Sequence, residues 1–286
     1  MSWTRSLLKY PGGKYSLLDC IDRELPRSQI DLYVEPFLGG ASVALNIGRR
    51  YPRMILNDAN ADIINFWTQI ADNHTGTLDE LERLIGKLYT TPSKDVYLAI
   101  RECFNLRNSS EHLHAAMFYF LNKQGFNGLV RYNLKGEFNV PHGKYKRFPS
   151  ISYEHVQEAS DIFSNNTQLH SLDWHAFFKK IVIPKVKKNP NVFMYIDPPY
   201  IPVSKTSNFT SYWMPFDVEQ HKKLRASLDK LTELNVKWMM SNSKTEETES
   251  IFTGYNFIEV KVPRNISCKG NGRGSITEYL ITNYKQ

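Results

Sequence analysis

The residues with the most informative chemistry are Asp197-Pro198-Pro199-Tyr200, reached at the end of the apolar run Val192-Phe193-Met194-Tyr195-Ile196. Such a run reads as a buried parallel strand, and the carboxyl ends of these strands are where open α/β sheets hold ligands. Two successive prolines fix two φ angles and supply no N–H, which leaves nearby carbonyls free to accept. An amino group fits that arrangement. The lone pair of a planar amine such as adenine N6 is delocalised into its ring, and fixed acceptors pulling on its two hydrogens return electron density to nitrogen. The Asp197 carboxylate and the Pro198 carbonyl are candidates for those acceptors, with the Tyr200 ring stacked on the base. The plain alternative is an aspartate cap and a Pro-Pro turn behind a core strand. The rest of the chain has to decide.

Three other stretches would have to meet this tetrapeptide. Lys9-Tyr10-Pro11-Gly12-Gly13-Lys14 is a glycine turn leading into Leu17, Leu18, Ile21 and Leu25 at helical spacing, and Lys14 is placed to meet a carboxylate or a phosphate. Leu32-Tyr33-Val34-Glu35-Pro36-Phe37 reads as a strand, followed by Leu38-Gly39-Gly40-Ala41-Ser42 and a helix-like Val43-Ala44-Leu45. Strand, glycine loop and helix N-terminus form a nucleotide-type cradle. The full dinucleotide fingerprint is missing, and no phosphate-binding G-K-[ST] follows, so a small cofactor without pyrophosphate fits better. The next strand, Met54-Ile55-Leu56-Asn57, ends at Asp58, where an acid can hydrogen-bond a ribose hydroxyl; the plain reading is an N-cap for a helix at 61–67. Thr167 to Leu172 reads as a further strand closing on Asp173-Trp174, and Trp174 is a candidate to stack on a purine or simply to fill the core.

The expected architecture is α/β: a Rossmann-like sheet of about seven strands, built from 1–58 and 167–286, with an all-helical insertion at 59–166. The insertion carries helical patterns at 78–88, 96–104 and 114–121, then a glycine-punctuated segment, 122–147, with interleaved aromatic and basic residues. In that segment Arg131 could pair bidentately with guanine, Leu129 and Pro141 could meet a thymine methyl, and Lys144, Lys146 and Arg147 could bind phosphates. An ordinary surface loop is the competing reading. The stretch 201–216, with Asn208, Phe209, Tyr212 and Trp213, reads as a lid or a DNA-facing loop. The helix 218–234 and the strands 236–240, 257–262 and 278–282 complete the sheet. Between the last two strands lies a basic glycine-rich loop, 264–274, that begins Arg264-Asn265 and suits phosphate contact.

Composition agrees with a polyanionic partner, nucleic acid first: across 286 residues the formal charge is +7 and the pI is near 9.1. Cys20, Cys103 and Cys268 are far apart, with no close cysteine or histidine pair, so neither a disulfide framework nor a zinc site is expected. No apolar stretch is long enough to cross a bilayer and no signal-type segment opens the chain, so a cytoplasmic protein without a membrane or metal partner is expected. Nothing requires an oligomer.

In this order the motifs resemble the Dam-type DNA adenine-N6 methyltransferases, which modify adenine in GATC and carry the α arrangement of motifs. The resemblance spans nearly the whole chain. It is strongest at Arg131-Tyr132-Asn133-Leu134-Lys135-Gly136-Glu137-Phe138-Asn139-Val140-Pro141, with support from Lys9 to Lys14, Val34 to Phe37, Asp197 to Tyr200 and Asn208-Phe209-Thr210. It implies S-adenosylmethionine held by Tyr10, Lys14, Glu35, Pro36, Phe37, Gly39, Gly40, Asp58, Asp173, Trp174 and Asp197. It also implies Lys9 near the outer guanine, Arg131 on the other guanine, Leu129 and Pro141 on thymine, and Phe126 with Asn127 filling the duplex beside a flipped adenine. Lys144, Tyr145, Asn208, Arg264 and Asn265 complete the expected DNA face. Tyr10 stands where the family commonly has tryptophan and Phe126 where a tyrosine is familiar, and the chain diverges after Lys146. Two other readings stay open here: a methyltransferase acting on a glutamine amide or an RNA base, which presents the same planar amine, and a non-catalytic DNA-binding protein of the same fold.

Overall fold

A computed structural model describes residues 3–84, 92–148, 150, 152–164, 166–188, 191–201, 216–263 and 275–285. Seven strands form one sheet: β1 (Leu32–Glu35), β2 (Met54–Asn57), β3 (Thr167–His170), β4 (Val192–Ile196), β5 (Lys237–Ser243), β6 (Asn256–Pro263) and β7 (Ser275–Thr282), in the order β3-β2-β1-β4-β5-β7-β6. β1 to β5 run parallel, whereas β7 lies antiparallel between β5 and β6. The order reverses between β1 and β4, and a crevice at such a reversal is the usual ligand position in an open α/β sheet.

The continuous apolar runs are explained by burial on both faces. Tyr33, Phe193, Tyr195 and Met239 belong to one core together with α1 (Leu18–Arg23), α2 (Ala61–Glu82), α3 (Lys94–Asn105), α4 (Glu111–Gln124) and α5 (Tyr153–Ser164). Leu32, Val34, Val192, Met194, Ile196 and Met240 alternate to the other core, with α6 (Trp174–Phe177), α7 (Ile183–Val186), α8 (Val218–Glu233) and α9 (Glu246–Ile251) covering that side. All five residues of β4 are buried, and each large apolar side chain so placed contributes about 1.5–3 kcal/mol. β4, which leads directly into Asp197, is therefore buried along its whole length, as β1 and β2 are.

Two local expectations change. After the glycine loop there is no regular helix at Val43-Ala44-Leu45; 41–47 is a run of turns ending in a 3₁₀ helix, Gly48–Arg50. Ala41 holds φ at +58°, which breaks helical propagation at its first step, although the Leu45 amide still reaches the Ala41 carbonyl at 3.0 Å. The helical pattern at 61–67 and the start of the one at 78–88 are one helix, α2, whose N-cap is Asn60 and not Asp58: the Asn60 side chain accepts from the Asp62 amide; 85–88 lie outside the described residues. Among the described residues the segment 59–166 holds α2 to α5, a 3₁₀ turn and two isolated bridges, Gly125 with His142 and Tyr132 with Phe138.

Candidate active site

Asp197 leaves β4 beside β1, and its carboxylate is met from the amino-terminal turn. Lys14 Nζ lies 2.8 Å from Asp197 Oδ2, donates to the Gly12 carbonyl and sits 4.9 Å from the centre of the Tyr200 ring. The other oxygen, Asp197 Oδ1, is buried and has no hydrogen-bond partner among the described residues. Burial pushes the Asp197 carboxyl above its ordinary value, and the Lys14 ammonium opposes that rise. Tyr200 is fixed through its hydroxyl, which donates to Glu278 Oε2 on β7 at 2.8 Å. Beyond Tyr200, Ile201 is gripped from the end of β5: Ser243 Oγ donates to its carbonyl at 2.7 Å and its amide reaches Asn242 Oδ1 at 3.4 Å. Pro198 is buried and Pro199 half-buried in between.

The neighbouring strand ends form an acidic floor. Glu35 is 2 % exposed and accepts from the Tyr33 hydroxyl at 2.7 Å. Burial raises its pKa well above its ordinary value; the Tyr33 hydrogen bond opposes this, and the Asp197 charge adds to it. The Glu35 carboxylate thus lies within the protein, underneath the loop it introduces. Asp58 accepts from the Gly39 amide at 2.8 Å and from the Asn60 amide at 2.9 Å, so it ties the glycine loop to the start of α2. Its pKa is raised by burial, with those two amides pulling the other way. The Tyr10 ring rests on Gly39 and Gly40. A Cβ at Gly39 would come within 2.7 Å of Tyr10 Cε1, and one at Gly40 within 2.8 Å of Tyr10 Cβ. Glycine is required at both positions by this approach.

The expected aromatic platform is less open. Trp174 is 6 % exposed in the second core, edge-on to Phe178 and 6.2 Å from Phe216, which in turn meets Phe37 edge-on at 5.7 Å. Asp173 caps α6 by accepting from the His175 and Ala176 amides. One residue that sequence reasoning missed holds these strand ends together. Asn57, fully buried, donates to the carbonyls of Pro36 (3.0 Å) and Leu172 (2.9 Å) and accepts from the Leu172 amide (3.0 Å). The available signal was a polar residue closing an apolar strand one position before Asp58.

A second group forms around α4 and the segment after it. Lys9 Nζ donates to the Lys123 carbonyl at 3.0 Å and lies 4.2 Å over the Tyr145 ring. Lys123 is half-buried and sits beside Lys9; burial and that neighbouring charge bring its pKa down to about 8. Phe126 is exposed (49 %), as are Asn127, Pro141 and Lys144, whereas Leu129, Arg131 and Tyr145 are half-buried. Arg131 donates to Asn139, from Nε to Oδ1 (2.8 Å) and from Nη2 to the carbonyl (3.2 Å). Buried Asn122 links the two groups, accepting from the Lys9 amide (2.8 Å) and donating to the Lys9 and Gly128 carbonyls. Lys9 thus belongs to this face and Tyr10 to the other, one residue apart. Asn208, Arg264 and Asn265, with the rest of 202–215 and 264–274, lie outside the described residues.

A family model, D12 class N6 adenine-specific DNA methyltransferase, matches residues 10–266. The chain belongs to this family. It is similar to a DNA adenine methylase of Escherichia coli (strain K12), 36 % identical over 98 % of this chain and 95 % of that protein. A DNA adenine methylase of Vibrio cholerae is 34 % identical over 98 % and 96 %, and the Type II methyltransferase M1.LlaDCHI of Lactococcus lactis subsp. cremoris 32 % over 98 % and 95 %. Among solved structures, a precorrin 8w decarboxylase from Methanobacterium thermoautotrophicum covers 96 % of this chain and 94 % of its own at 12 % identity and a TM-score of 0.35, a likeness too weak to support an argument. As a D12 class enzyme the protein transfers a methyl group to adenine N6 in DNA and requires a methyl donor. No helix in the described residues is long and apolar enough to cross a membrane, and no cluster of three or more His, Cys, Asp or Glu side chains there is placed to hold a metal.

Proposed function

We propose that this D12 methyltransferase uses S-adenosylmethionine to methylate a flipped adenine in double-stranded GATC, and that Asp197 to Tyr200 form the receiving site. The observation that carries the reading is Asp197 Oδ1 at the end of β4, buried and without a hydrogen-bond partner among the described residues, one residue before Pro198. Among the described residues nothing donates to that oxygen, a state that a planar amine would relieve. In the site Asp197 Oδ1 and the Pro198 carbonyl accept the two N6 hydrogens, and Tyr200, pinned by Glu278, stacks on the ring. With S-adenosylmethionine bound, the N6 lone pair would take the methyl group as the methyl–sulfur bond opens, and the proton that nitrogen then loses would pass through the Asp197 carboxylate to solvent. No covalent enzyme nucleophile is needed, so positioning and electrostatics supply the rate.

The residues present fit the cofactor. Asp58 and Asp197 place two acceptor carboxyl groups at the strand ends, the second beside Lys14, which suits a ligand that carries ribose hydroxyls and an amino group. Turns replace a helix N-terminus behind the glycine loop, which removes the usual pyrophosphate cradle. Tyr10 and the Gly39-Gly40 backbone would lie along the adenosyl group, and Asp58 would receive the ribose hydroxyls with its remaining lone pairs. Bound there, S-adenosylmethionine supplies a methyl group activated by positive sulfur. Asp58→Ala should weaken cofactor binding by roughly 1.5–3 kcal/mol, measured by calorimetry; unchanged affinity would confine Asp58 to bracing the loop.

Residues 59–166 are the unit we assign to target reading, with Lys9, Phe126, Asn127, Leu129, Arg131, Pro141, Lys144 and Tyr145 as its DNA face. Flipping the adenine costs roughly a few kcal/mol, offset by these aromatic, polar and basic contacts. The decisive assay digests DNA from expressing cells with a nuclease blocked by GATC methylation. Full cleavage alongside active protein would reject GATC.

The site also predicts a pH dependence. Asp197 accepts only as a carboxylate, so transfer falls as pH drops through its raised pKa. Lys14→Met removes the charge that restrains the rise, and the acid limb of kcat should then move to higher pH. A limb that stays in place would separate Lys14 from the ionisation of Asp197.

A further inference from the structure

We infer that Asp62 and Tyr132 are positioning residues that fix the orientation of the hairpin carrying Arg131, and thereby the stringency with which its base pair is read. The inference rests on the reading of Arg131 as a base-contacting residue. Asp62 lies in the first turn of α2 and is 5 % exposed. Three distant stretches converge on its carboxylate. Arg107 contacts both oxygens, with Nη2 at 3.0 Å from Oδ2; His114 Nε2 on α4 lies 3.0 Å from Oδ1; and the Tyr132 hydroxyl donates to Oδ2 at 2.6 Å. Tyr132 also lies within 3.3 Å of Asn60, the N-cap of α2, and its ring meets Phe138 edge-on across the hairpin at 5.7 Å.

This arrangement is a costly way to obtain stability. Burial of Asp62 raises its pKa, yet hydrogen bonds from His114, Arg107 and Tyr132 outweigh this and hold it below the ordinary range. Arg107 adopts a left-handed φ of +55°, a conformation unfavourable for a residue with a side chain. Buried ion networks often add little stability over apolar packing, and their best-attested use is to select one arrangement. Here the arrangement selected is that of Tyr132 on the N-terminus of α2. Arg131 is its chain neighbour, and two residues before Asn60 Asp58 holds the Gly39 amide. The hairpin is thus located relative to the same turn that closes the glycine loop. A bidentate contact tolerates little displacement, so freeing the hydroxyl should blur base choice more than it slows turnover.

The test compares kcat/KM on GATC duplexes with every single-pair variant that retains the adenine, for wild type, Tyr132→Phe, Asp62→Asn, Arg131→Ala and Arg131→Ala/Tyr132→Phe, with thermal melting for each. Tyr132→Phe, which keeps the ring and loses one hydroxyl, should lower discrimination at the Arg131 pair by about tenfold, and Asp62→Asn should do the same. In the Arg131→Ala background Tyr132→Phe should change discrimination no further, because the residue it positions is gone. Lower melting temperatures with wild-type discrimination in both single variants would overturn the inference and leave a structural brace. A wild-type enzyme with no preference for GATC would overturn the function reading and this inference together, whereas an intact wild-type preference that Tyr132→Phe does not alter overturns this one alone.

Discussion

Asp197→Ala should lower the rate of methyl transfer by about 10²–10³-fold or more while the affinity for a GATC duplex stays close to wild type. Asp197 Oδ1 has no partner among the described residues and Oδ2 is held by Lys14, so the carboxylate is aimed before substrate arrives. Alanine removes the acceptor and leaves the Lys14 ammonium beside Tyr200, where it would repel a sulfonium. The basic and aromatic groups at 126–147 are untouched, so binding, measured by anisotropy on a labelled duplex, should survive. Single-turnover transfer near the wild-type rate would remove Asp197 from the chemistry. Asp197→Asn separates the contributions further, since an amide retains one acceptor without charge and should fall between the two.

Arg131→Ala should relax the requirement at one base pair by about 1–3 kcal/mol, a factor of roughly 5–150. Asn139 takes two of the guanidinium's N–H donors, from Nε and Nη2. The plane of the fork is therefore fixed before contact, and the remaining donors are pre-organised for guanine O6 and N7. A phosphate-binding arginine would behave differently: its loss weakens every sequence alike and lowers the salt slope by about one unit. Methylation of GATC and its single-pair variants at two salt concentrations distinguishes them. Equal loss on every sequence with a smaller slope would make Arg131 a backbone anchor.

Which features were legible in the sequence follows from how local their causes are. β4 begins and ends where its apolar run does, and β2 passes its own by the single residue Asn57, because burial on both faces imposes a continuous apolar pattern. Of the segment 122–147 only the glycine punctuation was visible; the hairpin at 131–139 is set by Asn133, whose Oδ1 accepts from the amides of Lys135 and Glu137. Asn57 and Asn122 were not legible, since each is defined by carbonyls far away in the chain. Trp174 looked the same whether it lined a ligand or a core. The glycine loop misled because Val43-Ala44-Leu45 satisfies a helical pattern that one left-handed residue, Ala41, overrides. The position of β7 between β5 and β6 depends on pairing across 264–274 and has no local signature.

The adjacency of β1 and β4 has a consequence for how the molecule comes into being. These strands are hydrogen-bonded neighbours, with Val34 opposite Met194, yet more than half of the chain separates them. Contacts this distant close slowly, because the loop entropy is lost before the pairing compensates for it. During synthesis the amino-terminal strands and helices emerge first, with one side of β1 unpaired and open to intermolecular association. The acceptor carboxylate arrives only when β4 slots into that gap. Any product terminated before residue 192 would therefore lack the acceptor carboxylate, and one terminated before Glu278 would lack the group that pins Tyr200.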